Sequence, residues 1–174
     1  AIASHTGSLA VSRLIWDTAL RQCGAIKVEG MEELIDTIKA LLFLPPLQGD
    51  RVAVAGGSGG QSVVVADVFA EAGLRVPPLA HESYNELATF FSLIGGSYGN
   101  PIDTGGNVNR REIGRIMQIL ARDTNTDNLV LIASTKPGWR LSPQQLESDL
   151  AVMDDVRKRT HKPVMALVHF STPD

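Results

Sequence analysis

The sequence predicts an α/β fold: a three-layer α/β/α arrangement around a mostly parallel, doubly wound sheet, preceded by a short helical lead-in. Two observations predict it. The run RVAVAGGSGGQSVVVADVFAEAGLRV, residues 51–76, reads as a buried strand, a glycine turn, a helix and a second short strand at 74–76, which together make a βαβ unit. Further on, the apolar strands LVLIA (129–133) and PVMALV (163–168) alternate with helical patterns. Alternation of this kind predicts parallel strands with helices on both faces.

Taken in order, the first element is a helix over 9–22, with Ser8 placed to cap it, Leu14, Ile15, Ala19 and Leu20 near one stripe, and Gly24 placed to end it. Residues 25–28 form a short strand-like piece. Met31, Leu34, Ile35, Ile38, Leu41 and Leu42 then keep helical spacing until Pro45 and Pro46 stop it. The proline-rich stretch at 44–50 is the one plausible hinge, so 1–48 is read as the lead-in and 49–174 as the α/β domain. Within that domain helical patterns follow at 81–91, at 110–121 (Ile113, Ile116, Met117, Leu120) and at 143–158 (Leu146, Leu150, Met153).

Bulk properties exclude several classes. A chain of 174 residues can bury roughly 70% of its unfolded surface, so a full core needs no staples. A net charge of −3 with scattered basic residues leaves no footprint for nucleic acid. Cys23, the single cysteine, rules out an internal disulfide and a Cys-based zinc site, which suits a reducing compartment and points to the cytoplasm. No apolar run approaches the ~18 residues of a membrane span, so no membrane partner is expected. Because it opens at Ala1 directly before a His5 motif, the chain is read as a fragment.

In an open parallel sheet, ligands sit beyond the C-terminal strand ends, where helix N-termini offer unpaired N–H groups. Three segments map there. The first is GGSGGQS, 56–62: the N–H groups near Gly59, Gly60 and Gln61 can hold a phosphate oxygen, with Gly57 and Ser58 shaping the approach. The same glycines would equally serve a tight strand-to-helix turn. As a dinucleotide fingerprint the segment fails, because Ser62 stands where the third glycine belongs; it is not a P-loop either. The second is GNPIDTGGN, 99–107, dense in turn residues, where Asn100 supports the loop and Asp103 can accept N–H bonds or orient an imidazole. The third is STKPGWR, 134–140, with Lys136, Trp139 and Arg140, which reads adequately as a solvated loop. His81 reads as a helix start, His161 as a turn residue before Pro163, and His169 as the residue after a buried strand. No spacing suggests a metal site or a serine hydrolase elbow.

In order, ASHTGSLA (3–10), DTALRQCGAIKVEGMEELIDTIKALLFLP (17–45), RVAVAGGSGGQSVVVADVFAEAGL (51–74) and GNPID (99–103) resemble the NDP-forming acyl-CoA synthetases, relatives of succinyl-CoA synthetase. The likeness runs from Ala3 to about Val168. It implies that His5 is transiently phosphorylated and carries the phosphoryl group between the acyl-CoA and nucleotide sites. It also implies that 51–168 is the family's flavodoxin-like ligase subdomain, with the helix starting at Gly59 and Gly60 as one of two facing phosphate-stabilising helices. The reaction implied is acyl-CoA, phosphate and ADP giving acid, CoA and ATP, reversibly.

Imidazole chemistry fits this role independently, since a neutral imidazole is a competent nucleophile and its phosphorylated form needs several donors. The resemblance implies that the CoA-binding Rossmann domain and the ATP-grasp domain, in the same chain or a partner subunit of a homo- or hetero-oligomer, lie outside this stretch. CoA, ATP/ADP, phosphate and Mg2+ would belong to the whole enzyme, and this stretch alone would be inactive. Two other classes stay open on the residues alone: a flavodoxin-like module that binds a small anion or nucleotide without turnover, and a structural interaction domain.

Overall fold

Strand β1 (Val52–Gly56) forms where VAVAG can be buried along its whole length. In the computed structural model, which describes residues 12–90, 98–104, 108–133 and 143–168, it pairs in parallel with β2 (Asn128–Ala133). Strand β2 pairs in parallel with β3 (Val164–Val168), giving a three-stranded sheet in the order β1-β2-β3. The chain divides into two compact units, Ala1–Leu44 and Pro45–Asp174.

The first unit carries α1 (Arg13–Gln22) and α2 (Met31–Phe43). Helix α1 starts at Arg13 instead of Leu9. Ser12 is extended (φ −61°, ψ 143°) and its hydroxyl accepts the Ile15 N–H at 3.4 Å, so Ser12 caps this helix, while Ser8 lies outside the described residues. Gly24, at φ +66°, follows the helix as expected. The strand-like piece at 25–28 is not a strand and has no ladder partner among the described residues. Its neighbourhood is held instead by Lys27 on Asp17 at 2.9 Å. Helix α2 starts after Gly30 with Glu32 and Glu33 in its first turn, favourable at the positive end of the helix, and stops where Leu44 turns extended before the two prolines. Neither helix has a buried residue, and Leu41 and Leu42 of the apolar stripe are 66% and 70% exposed.

In the second unit, α3 (Gly59–Glu71), α4 (His81–Ala88), α5 (Arg110–Arg122) and α6 (Pro143–Arg159) flank the sheet. Alternation along the strands decides which face each meets. Ala53, Ala55, Leu129 and Leu131 face the larger core, with Leu87 of α4, Ile116, Met117, Ile119 and Leu120 of α5, and Met153 and Val156 of α6. Val52, Val54, Val130 and Ile132 face the other way, against Val65 and Phe69 of α3. This is the expected three-layer, flavodoxin-like α/β arrangement, and α5 is fixed at its start by Asn109, which accepts the Glu112 N–H at 3.0 Å while Glu112 accepts that of Asn109 at 2.9 Å.

The expected strand at 74–76 is reduced to one bridge, Arg51↔Arg75, and a second bridge, Ala55↔Ile102, lies further along the same edge of β1. Between them the Asn100 side chain stands in for a peptide group. Its amide nitrogen donates to Val52 O at 2.7 Å and Pro77 O at 2.9 Å, and its oxygen accepts the Val54 N–H at 2.9 Å. The edge is thus completed without a second continuous strand.

The end of the sheet where the strands begin is tied by charge. Arg51 pairs with Asp127 and Arg75 with Asp50. Half-buried Lys162 donates from Nζ to Leu120 O at 3.1 Å, to Asp123 O and to Thr126 Oγ1 at 3.2 Å, closing the C-terminus of α5. Burial pushes the Lys162 ammonium pKa down. No helix among the described residues is long and apolar enough to cross a membrane.

Candidate functional site

The opposite end of the sheet is built from glycine and small polar residues. After β1 the chain turns through Gly56 and Gly57, at φ +97° and +72°. A Cβ on Gly56 would stand 2.3 Å from the Ile132 carbonyl oxygen, so β2 passes too close for any side chain there. Buried Ser62 donates to Gly56 O at 3.0 Å and ties the first turn of α3 back to the strand.

Ser58 is extended, and its N–H donates to Gln61 Oε1 at 3.1 Å. Gln61 therefore spends its side chain on the helix start, in a capping box whose other half sets the Ser58 side chain against the Gln61 N–H, while the N–H groups of Gly59 and Gly60 precede any helix carbonyl that could accept them. Among the described residues the space around Gly60 is open: a Cβ there would meet none of them within 4 Å.

The second predicted loop laces onto this turn. Ile102 N–H donates to Val54 O at 2.8 Å and Gly56 N–H to Ile102 O at 3.1 Å. Asp103 follows at once, and its carboxylate lies against Gly59, 2.6 Å from where a Cβ would be. Buried Thr104 donates to Gly57 O at 3.4 Å. Gly57, Ser58, Gly59, Gly60, Gln61 and Asp103 are therefore brought together at the start of α3. Asn100 is not among them. Its amide is consumed by the β1 edge, so it supports the site from behind, through the strand that delivers the glycine turn.

His5 lies outside the described residues, as do Lys136, Trp139, Arg140, His169 and residues 105–107. His81 opens α4 and His161 sits in the turn before Pro163, as their sequence contexts suggest. Thr104 was not singled out from the sequence, and Ser62 was noted only as the residue that breaks the dinucleotide fingerprint. A hydroxyl beside an aspartate in a turn carries no signal that it will reach a carbonyl 47 positions away. Among the described residues no three His, Cys, Asp or Glu side chains converge as a metal site would require.

What this end of the sheet can do follows from its charge distribution. The α3 N-terminus favours an anion by about 0.3–1 kcal/mol when exposed and up to ~2 kcal/mol when partly buried. One anion, Asp103, is already beside it, so a second anion is best held there with a cation between the two.

Comparison with known proteins supplies the rest. The profile of the family described as succinyl-CoA ligase like flavodoxin domain matches residues 1–41, the stretch that contains His5, α1 and most of α2. The chain is 31% identical over 169 residues to the alpha subunit of ADP-forming acetate–CoA ligase II of Pyrococcus furiosus, covering 96% of this chain and 36% of that subunit. It is 35% identical over 132 residues to ADP-forming acetate–CoA ligase I of Archaeoglobus fulgidus, covering 76% of this chain and 19% of that one. A solved dinucleotide-forming acetyl-coenzyme A synthetase 1 of Ca. Korarchaeum cryptofilum, in complex with phosphate and ADP, matches with a TM-score of 0.77 and 25% identity, over 97% of this chain and 36% of that one. The chain thus spans between 19% and 36% of the length of these relatives. By sequence along nearly its whole length and by fold, it is homologous to part of the ADP-forming acetate–CoA and acyl-CoA ligases.

Proposed function

We propose that this chain is the phosphoryl-carrying part of an ADP-forming acyl-CoA synthetase, with His5 as the carrier and the start of α3 as one of the cradles for the phosphoryl group. On this reading residues 1–48 are the histidine loop with its helical lead-in, and residues 49–174 are the ligase domain. The observation that carries the proposal is the likeness to an ADP-forming acetate–CoA ligase subunit over 96% of the chain, with His5 inside the stretch 1–41 that the succinyl-CoA ligase profile matches.

In the reaction proposed, phosphate attacks the thioester carbon of acyl-CoA and expels the CoA thiol, leaving an acyl phosphate. An imidazole nitrogen of His5 then takes the phosphoryl group, and the carboxylic acid departs. ADP finally takes the phosphoryl group from His5, forming ATP and returning the neutral imidazole.

The described residues have definable parts in this sequence. Gly59 and Gly60 present N–H groups to the phosphoryl oxygens, Ser58 and Gln61 hold the turn through their capping box, and the bare flank at Gly60 lets a tetrahedral anion approach the backbone. Asp103, held against Gly59, accepts a hydrogen bond from the imidazole nitrogen that does not react, and so places positive charge between itself and the phosphate. Asn100 and Thr104 hold these groups through the backbone.

CoA and the nucleotide, with its Mg2+, are assigned to the CoA-binding Rossmann and ATP-grasp parts of the longer enzyme, in the same chain or a partner subunit. The relatives' greater length supports that assignment. The single cysteine suits a cytoplasmic enzyme.

The test is phosphoryl labelling of the intact enzyme with acyl-CoA and labelled phosphate. An acid-labile, alkali-stable label is expected on His5 and is expected to vanish in His5→Asn together with ATP formation. A His5→Asn enzyme that still labels and turns over would overturn the proposal. In Asp103→Asn, labelling is expected to slow while the melting temperature holds.

A further inference from the structure

The turn after β1 is held by two buried hydroxyls, one on the carbonyl of each of its positive-φ glycines. Ser62, 2% exposed, donates from Oγ to Gly56 O at 3.0 Å, and its N–H donates to Ser58 O at 3.0 Å. Thr104, 6% exposed, donates from Oγ1 to Gly57 O at 3.4 Å. A third side is closed by β2, since a Cβ on Gly57 would stand 3.2 Å from Ile132 Cγ2. Two successive glycines have the conformational freedom to move, so what fixes their carbonyls fixes the turn. A trans peptide also sends its N–H opposite its carbonyl. Holding Gly57 O therefore aims the Ser58 N–H, which meets Gln61 Oε1 at 3.1 Å and starts the helix.

The two hydroxyls act on different groups. Ser62 belongs to the first turn of α3, and its side chain reaches back to the last residue of β1. It thereby sets the angle at which the helix leaves the strand, and with it the direction of the Gly59 and Gly60 N–H groups. Thr104 belongs to the other loop. Ile102 O accepts the Gly56 N–H at 3.1 Å and Thr104 Oγ1 donates to Gly57 O, so the residues on both sides of Asp103 are bonded to successive residues of the turn. That bracket keeps the Asp103 carboxylate against Gly59.

We propose that Ser62 and Thr104 are positioning residues for phosphoryl transfer: Ser62 aims the N–H groups that hold the phosphoryl oxygens, and Thr104 sets the distance from them to the Asp103 carboxylate. The proposal rests on the reading of His5 as carrier with Gly59, Gly60 and Asp103 around it. Neither hydroxyl touches the transferred group; each acts through a glycine carbonyl. The separation matters because two anions repel as the inverse of their distance, so the acid has to stand close enough to reach an imidazole and far enough from the phosphate not to expel it. Backbone donors carry no side chain of their own to pack, and their aim depends on the residues that support them.

The experiment uses the intact enzyme and follows the labelling of His5 by radioactive phosphate in the presence of acyl-CoA, at a temperature where thermal melts show every variant folded. In Ser62→Ala the phosphate concentration for half-maximal labelling is expected to rise about tenfold, while the rate at saturating phosphate stays within about twofold of the parent. Thr104→Val is expected to show the opposite split, with the saturated rate falling about tenfold and the half-maximal concentration held within about twofold. Thr104→Ser keeps the hydroxyl and is expected to bring the rate back to within about twofold. Lower melting temperatures with both kinetic parameters at their parental values would make the two hydroxyls structural only and end the proposal. Both variants moving the same parameter, or Thr104→Ser remaining as slow as Thr104→Val, would end it too. If the parent labels on His5 and both variants match it, this inference falls and the proposed function stands; if the parent itself never labels on His5, the proposed function falls and takes the positioning roles with it.

Discussion

Gly56 and Gly60, four residues apart, show why glycine density alone does not define a site. At Gly56 the backbone is at φ +97° and the Ile132 carbonyl leaves no room for a side chain. Gly56→Ala is therefore expected to destabilise the fold by about 1–3 kcal/mol in chemical denaturation, whatever the ligand. At Gly60 no described residue crowds a Cβ. Gly60→Val is expected to stay within about 1 kcal/mol of the parent in stability while raising the phosphate concentration needed for half-maximal labelling of His5. Equal stability losses in the two variants would show that the turn is purely structural. The glycines were legible as a turn, but which of them yields to strand packing and which faces open space was not, because Ile132 lies 76 positions beyond Gly56. The charged end of the sheet offers a different residue-level test. The side-chain hydrogen bond from Arg51 holds the Asp127 carboxyl below its usual range, aided by the Arg51 N–H and opposed by burial. Because the folded-state pKa is depressed, the stabilisation is present above the unfolded carboxyl value of about 3.9 and is lost as pH falls through the folded one. Asp127→Asn is expected to lower stability above that value and to flatten the acid limb below it, so that variant and parent converge at low pH. A parallel downward shift at all pH values would instead mean that the pair contributes through packing alone.

Elements with strong periodicity were legible: α2, α5, α6, β2 and β3 fall within a residue or two of their predicted positions. The exceptions share a cause. Residues 74–76 carry strand-forming side chains, yet a strand is defined by its neighbour, and beyond Arg75 the next positions along β1 are taken by Asn100 and Ile102. Ser8 is the cap the sequence suggests for α1, whereas the cap observed at Arg13 is Ser12, fixed by its extended backbone. Asn100 was placed correctly in a constrained loop, but its role as a surrogate peptide depends on reaching Val52 and Val54 across 48 and 46 positions. It follows that Asn100→Ala would orphan the Val54 N–H and two carbonyls at once. The expected cost is about 1–3 kcal/mol for each group that water cannot reach, together with faster amide exchange at Val54. Asn100→Asp keeps an acceptor for Val54 N–H but loses both donated bonds, so it is expected to restore protection at Val54 with only partial recovery of stability. Unchanged exchange at Val54 in the alanine variant would mean that another group completes the β1 edge.

At the scale of the whole chain, the two units differ in what they bury. In the second, β1 and β2 are buried at every residue, and Leu120 of α5 and Leu87 of α4 are fully enclosed. In the first, helices of 10 and 13 residues bury none of theirs. Helices of that length are marginal in water without tertiary packing, whereas backbone bonds inside a buried sheet open only when the surrounding core does. Hydrogen exchange in this 174-residue chain is therefore expected to split into two classes. Amides of α1 and α2 should exchange through local opening, insensitive to low denaturant, while those of β1, β2 and α5 exchange through unfolding of the second unit, with rates that track its global stability. Leu120→Ala, which removes a fully buried side chain at about 2–5 kcal/mol, should accelerate only the second class. If it accelerates α1 and α2 equally, the units unfold as one. The same comparison in the intact enzyme then carries functional weight: protection gained by α1 and α2 there would measure how far the lead-in behind His5 owes its order to parts of the ligase that this chain does not span.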